Sequence, residues 1–317
     1  IKTGESKNGE SGTIVISVGR GASGVGGDLI LSSGDSSSST GGHVSIQSGG
    51  SKTSSSGDVT LSTGEGGAAS GGSGSISLST GSSSAGSSGS ISMVTGDSYD
   101  GEGGGILLQV GSGVSGRGGD IVFHAGNSEE ATGGSIDILS GKGGSKGSSG
   151  SIRVASASSS ESGSSGSIDI STGKGGVEGS GSINIATGAA KQGLSGGIIL
   201  SVGATAMGAG GSIGIQAGHS MVSTGGSIRV ASGGSSEGSS GSIDIVTASG
   251  GTEGGSGKIQ IQTGTASRGS SGSITLRTGS SKSGHTGNID IRAGASNGGI
   301  GGNLLFVAGS SALETGG

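Results

Sequence analysis

The sequence predicts an all-β protein: a single-chain β-solenoid of about twenty coils with about fifteen residues in each. Two observations carry this prediction. From residue 13 to residue 317 the chain divides into twenty repeats, of which sixteen have fifteen residues, three have sixteen and one has seventeen. The first six positions of each repeat alternate between polar and apolar residues, which is typical of a β-strand with one buried face.

The parts of one repeat follow from its positions. Position 2 is always aliphatic and position 4 is always apolar, from Ile14 and Ile16 in the first repeat to Leu304 and Phe306 in the last. Position 6 holds only Thr, Ser, Ala or Val. Glycine fills position 7 in eighteen repeats and position 15 in all twenty, so we expect the strand to end at position 7 with a turn through positive φ. The insertions fall within positions 8–13, which indicates a tolerant outer loop.

A six-residue strand cannot bury its apolar face alone, but identical stacked repeats can. We therefore expect parallel coils about 4.8 Å apart, forming a rod of roughly 95 Å. An antiparallel meander is the alternative, although a loop of about nine residues is long for a hairpin. The predicted core ladder consists of the aliphatic residues at position 2, represented by Ile76, Ile91, Ile106, Ile121, Ile136 and Ile168.

Charges at position 3 alternate in sign along the chain. Asp137, Arg153 and Asp169 occupy this position in three consecutive repeats, and Arg229 and Asp244 occupy it in two others. On neighbouring parallel strands these side chains would lie side by side with opposite charges. Exposed pairs contribute under about 1 kcal/mol each, so their expected role is to keep the register.

A second period of six repeats is superimposed on the first. It divides the continuous solenoid 1–317 into a partial repeat 1–12, the blocks 13–104, 105–196 and 197–287, and the partial block 288–317. Because both ends cut through this pattern, we expect the sequence to be a window of a longer repeat protein. The period either records duplication of a block or spaces a lateral contact. The residues expected at such a contact are bulky apolar loop residues: Val25, Val114, Met207, Met221 and Leu313.

The amino-acid composition argues against an enzyme, a metal-binding protein and a nucleic-acid-binding protein. Gly accounts for 83 of 317 residues, aromatic residues for 1%, and there is no Cys, so the chain has too few large side chains for an ordinary enzyme core and has no thiolate ligands. The four His lie in separate repeats, which argues against a zinc cluster. Sixteen scattered Lys and Arg within a net charge of −5 do not indicate nucleic-acid binding, and no apolar run approaches a membrane span. We therefore expect no enzyme, no cofactor and no metal site.

A binding module is the alternative function. A rod-shaped adhesin or ice-binding protein would present regular outward ranks of Thr or aromatic residues. The regular rank of Thr residues in this chain, eight in number, stands at position 6, which the alternation turns inward. No Asn begins an N-x-S/T site, whereas the loop Ser and Thr residues are candidates for O-glycans.

Two stretches carry a resemblance to a known class of proteins. They are SGSISLSTGSSSAGSSGSISMVTG at 73–96 and SSGSIDIVTASGGTEGGSGKIQIQTG at 239–264. Both resemble the large Gly/Ser-rich repeat proteins of β-solenoid type predicted in diatoms and other stramenopile algae. The resemblance implies a low-complexity protein without a catalytic site. It also implies a structural role at the cell surface or outside the cell, in a filament or fibre, with self-association or other fibre proteins as partners.

Overall fold

The computed structural model describes residues 1–67, 71–145, 147–160 and 162–311. In these ranges the chain forms no helix and no sheet, and its one β-bridge is an isolated antiparallel contact between Gly176 and Gly179. The predicted all-β solenoid is therefore wrong. The residues form a succession of irregular loops that keep the fifteen-residue period of the sequence.

The chain divides into two bodies, Ile1–Val154 and Ala155–Gly317. The first body contains the partial repeat, nine complete repeats and the start of the next. The second contains the rest of that repeat and the ten that follow. The same loop conformation recurs within each body. In fourteen of the sixteen fifteen-residue repeats, the described backbone bends at positions 10–12, as at 37–39, 99–101 and 236–238.

The first five positions of a repeat have two faces, as the alternation predicts. Lys258 Nζ donates a hydrogen bond to Gln260 Oε1 at 2.8 Å, and Gln260 Nε2 donates one to Gln262 Oε1 at 2.6 Å. These residues stand at positions 1, 3 and 5. Side chains two residues apart can meet in this way only where the backbone is extended, since successive side chains of an extended chain point to opposite sides. The polar residues thus share one face, although no second strand pairs with the segment.

The chain has no packed interior among the residues described. Its accessible surface is 31403 Å². A folded monomer of this mass would expose roughly 11,000 Å² and an unfolded chain roughly 42,000 Å². Two large apolar side chains in fifteen residues bury too little surface to order a backbone this rich in Gly, the residue that loses most conformational freedom on folding. This imbalance is the physical reason why periodicity alone does not produce the solenoid.

Two local expectations also fail. No described glycine at position 7 has a positive φ; the five that do are Gly24, Gly179, Gly193, Gly208 and Gly269, at positions 12 or 13. No ion pair joins Asp137 to Arg153, or Arg229 to Asp244. The described ion pairs are instead local, between Arg117 and Asp120 at 3.4 Å and between Arg292 and Asp290. Because the segments of adjacent repeats are not paired in a sheet, charged side chains one repeat apart are not brought within the distance of an ion pair.

Candidate functional site

Nine turns are closed by a serine at position 9. Its Oγ accepts a hydrogen bond from the backbone N–H of position 12, at 2.8 to 3.1 Å. A hydroxyl that accepts from a nearby backbone N–H imitates a backbone turn, which is why Ser is common in such loops. The nine serines are Ser36, Ser51, Ser83, Ser98, Ser128, Ser220, Ser235, Ser281 and Ser296. In the sequence, these turns are signalled by the recurrence of Ser at position 9. The signal is hard to see because Ser is also abundant at other positions.

In a second group of turns, a glycine with a positive φ takes the place of the hydrogen bond to serine. In four repeats position 9 is Gly21, Ala190, Thr205 or Ala266, and position 12 is a glycine with φ between 90° and 115°. No described residue other than glycine has a positive φ. In these four repeats, a turn without the Ser acceptor uses a backbone conformation that only glycine adopts at little cost.

A third group of turns is closed by the backbone alone. An N–H donates to the carbonyl three residues earlier, at 3.2 to 3.3 Å, in segments 144–147, 160–163, 176–179 and 251–254. Three of these four segments lie in the sixteen-residue repeats, so the inserted residue lengthens the turn. In repeat 167–181 a Cβ on Gly175 would overlap the carbonyl oxygen of Gly179, so position 9 must be glycine there. The same restriction applies at Gly143 and Gly250.

Position 15 returns to the end of the extended segment. In six repeats its N–H donates to the carbonyl of position 7 at 2.9 Å. These are the second and third repeats of each of the three full six-repeat blocks, with donors Gly42, Gly57, Gly134, Gly150, Gly226 and Gly241. All six have Ser or Ala at position 6, and the bond is absent from the described repeats with Thr or Val there. Repeat 288–302 has Ala293 and also lacks the bond, so a small residue permits the closure without ensuring it.

The side chain at position 6 explains the glycine at position 15. A Cβ on Gly119 would lie 2.5 Å from Cγ1 of Val110, which is closer than real Cβ atoms approach. A Cβ on Gly89 would lie 3.4 Å from Cγ2 of Thr80, a tight but tolerable contact. Thr95 Oγ1 donates to the carbonyl of Gly104 at 3.1 Å, so this hydroxyl faces its own repeat. The contact between positions 6 and 15 keeps both residues small.

The apolar face of the extended segments has no cover. Side chains at position 2 are 45 to 61% exposed and those at position 4 are 52 to 80% exposed. The residues of the predicted ladder, Ile76, Ile91, Ile106, Ile121, Ile136 and Ile168, are 50 to 57% exposed. The large apolar residues on the other face are 78 to 88% exposed, as at Leu107 with 82%, apart from Val122 with 66%. In the described ranges, no backbone–backbone hydrogen bond involves positions 1–6, so their N–H and C=O groups are also available.

The residues predicted at a lateral contact lie in the loops. Val25, Val114, Met207 and Met221 are 89 to 105% exposed, while Leu313 lies outside the described residues. The first four stand at positions 10, 11 or 13 of their repeats, at or next to the backbone bend. Their role in a lateral contact remains a prediction.

Other functional features are sparse in the part of the chain that the structure describes. No three His, Cys, Asp or Glu residues there are grouped so that they could bind a metal ion. No helix there has the length and apolar character needed to cross a bilayer. A shallow depression is lined by Arg277, Thr278, Gly279 and Ser280, and it contains no carboxylate or imidazole to work with the guanidinium.

Comparison with protein-family models, with curated proteins and with solved structures finds no match for this chain. The chemistry of the repeat is therefore the only guide to function. Its recurrent feature is the segment at positions 1–6, with one apolar and one polar face, which stands in each of the twenty repeats. This segment is the candidate functional site.

Proposed function

We propose that this chain is a non-enzymatic structural protein that self-associates to form or coat a filament or surface fibre outside the cell. The observation that carries the proposal is the apolar face at positions 2 and 4, which recurs with the fifteen-residue period and is about half or more exposed throughout. Exposed apolar surface of this extent is characteristic of interaction sites. A second chain of the same sequence offers the same face at the same spacing.

Repetition makes weak contacts effective. One repeat contributes two aliphatic or aromatic side chains, too few to bind a partner alone. Once one repeat of a chain is bound, the next is held close to its own partner, so that every later contact forms at a high effective concentration. Twenty repeats on one chain therefore give weak single contacts a strong combined affinity.

A location outside the cell, or at its surface, is supported by the resemblance stated above. The resemblance to Gly/Ser-rich algal repeat proteins implies a surface fibre, in which other fibre proteins would be further partners. Exposed loop Ser and Thr residues would accept O-glycans, although the position 9 serines already accept a backbone hydrogen bond in their turns.

Assembly of the purified chain tests the proposal. We expect fibres by electron microscopy and concentration-dependent growth by sedimentation velocity. Replacing Ile136, Ile152 and Ile168 together by Asp should raise the concentration needed for assembly at least tenfold, since each carboxylate would enter the apolar contact. The matched control replaces Ser135, Ser151 and Ser167, one residue earlier on the polar face, by Asp, and should assemble much more readily than the isoleucine variant. A wild-type chain that stays monomeric at all concentrations would overturn the proposal.

A further inference from the structure

Charged residues at position 3 have no partner from another repeat within their own body. Asp169 Oδ2 accepts a hydrogen bond from Ser167 Oγ at 3.4 Å, and Asp244 Oδ2 accepts one from Ser242 Oγ at 3.5 Å. Both contacts stay within one extended segment. Asp137 and Arg153, one repeat apart, form no ion pair with each other. These exposed charges with alternating sign are thus available to a second molecule.

Among parallel alignments of two copies, the order of the signs favours one. If two parallel copies lay in register, Asp137 would face Asp137 and Arg153 would face Arg153. A shift of one repeat instead places Asp137 opposite Arg153, and Arg153 opposite Asp169. We propose that the extended segments of two copies pair side by side, parallel and staggered by one repeat; this inference rests on the proposed self-association.

Other charged positions are compatible with the stagger. At position 1 it places His43 of one copy opposite Asp28 or Asp58 of its neighbour, whereas no two acids face each other there. At position 3 it also sets Arg229 opposite Asp244. Its unfavourable contact is Arg277 against Arg292 at position 5, where Arg292 Nε already donates to Asp290 Oδ1 at 2.8 Å.

The backbone of the segment can support such pairing. Positions 1–6 are free of backbone–backbone hydrogen bonds in the described residues, and the side-chain contacts at positions 1, 3 and 5 require an extended conformation. An extended segment with unpaired N–H and C=O groups is a template for a second strand. Main-chain hydrogen bonds would supply affinity, and the charges at position 3 would set the alignment.

The available area is sufficient for a stable contact. Burying a Val, Leu or Ile side chain removes on the order of 100 Å² of apolar surface, and these side chains are about half exposed, so each offers about 50 Å². A stable interface needs about 800 Å² from each partner, which corresponds to about sixteen side chains or eight repeats. A one-repeat stagger leaves eight of the nine complete repeats of Ile1–Val154 opposed, and nine of the ten complete repeats of Ala155–Gly317, so either body alone reaches this number.

The stagger also explains open-ended growth. Copies related by a translation along the chain do not close into a ring, and each new copy leaves one repeat free at its end. A third copy can then add in the same way as the second. A filament follows from the same geometry that satisfies the charges.

Charge reversal in the full-length chain tests the alignment. Arg153→Asp makes the run at position 3 wholly acidic, whereas Asp137→Arg with Asp169→Arg makes it wholly basic. Either variant alone should need an about tenfold higher concentration to assemble than wild type, because two attractive contacts become repulsive. An equimolar mixture of the two should recover wild-type assembly. Matched controls place the same charge changes in the loops: Lys191→Asp, and Glu129→Arg with Glu178→Arg.

Disulfide trapping gives the second measurement, since the chain has no Cys. Adjacent strands lie about 4.8 Å apart, within the Cα spacing that a disulfide spans. Ser151→Cys mixed with Ser167→Cys should form mixed dimers in preference to dimers of either variant with itself. Self-dimers in excess, or assembly unaffected by the charge reversals, would overturn the stagger and leave the filament proposal standing. A wild-type chain that does not assemble would overturn both.

Discussion

Repeats 43–57 and 167–181 have the same length and close their loops by different means. In the first, Ser51 Oγ accepts the N–H of Ser54 at 3.0 Å, and the Gly57 N–H donates to the Gly49 carbonyl at 2.9 Å. In the second, the Gly179 N–H donates to the Gly176 carbonyl at 3.3 Å, and the loop-closing bond of position 15 is absent. One turn depends on a side chain at position 9, whereas the other has no space for one.

The difference shows how one period accommodates several turn geometries. Position 6 is Ser48 in the first repeat, which is partly buried, and Thr172 in the second. A β-branched residue carries a second γ atom, and this atom meets the glycine of position 15. The smaller residue lets position 15 come close enough to position 7 for a hydrogen bond. A single substitution at position 6 or 9 should therefore move a repeat from one class towards the other.

The largest expected effect on the stability of a turn is that of Gly175→Ser. A Ser there would place a Cβ on the carbonyl oxygen of Gly179, so the turn 176–179 must open, at a local cost of about 2 kcal/mol. Amide hydrogen exchange at Gly179 should become more than tenfold faster. Gly173→Ala is the control, because a Cβ at that position meets no atom within 4 Å. Unchanged exchange in the Gly175 variant would show that the turn tolerates a side chain.

An intermediate effect is expected at Ser48. Val at this position should displace Gly57 and remove its hydrogen bond to Gly49, at a cost of about 1 kcal/mol. The Gly57 amide should then exchange roughly fivefold faster. Ser45→Val, at position 3 of the same repeat, adds the same side chain on the polar face and should leave Gly57 unchanged. Equal acceleration by both variants would mean that the size of position 6 does not control the closure.

The smallest effect is expected at Ser51. Replacing Ser51 by Ala removes the Oγ that accepts from the N–H groups of Thr53, at 3.3 Å, and Ser54, at 3.0 Å. Because the turn is exposed and water can replace the hydroxyl, the loss should be about 0.5 kcal/mol. Exchange at Ser54 should rise about twofold, whereas Ser55→Ala should have no effect. A loss in Ser51→Ala as large as that in Gly175→Ser would contradict the distinction between the two turn classes.

Much of the local structure could be predicted from the residues. The alternation over positions 1–6 predicts a strand with one buried face. The contacts of Lys258, Gln260 and Gln262 place three polar side chains on one face, but no strand forms there and the apolar face is not buried. The invariant glycine at position 15 indicates a close approach, and Val110 against Gly119 supplies its cause. The positive φ was expected at position 7 and lies at positions 12 and 13 instead. All five of these turns lack Ser at position 9, as at Ala190 in the repeat of Gly193, but repeat 105–119 also lacks it and has no positive φ among its described residues.

The sequence by itself determined the period, the two faces of the extended segment and the region of the turn, because each depends on residues a few positions apart in one chain. Only the tertiary structure decided whether the segments pair. Pairing depends on whether the apolar surface buried between repeats outweighs the entropy lost by a glycine-rich backbone, and a periodic pattern carries no measure of that balance. With Ile76 and its equivalents half exposed, the described chain keeps the local order of its repeats without a shared core.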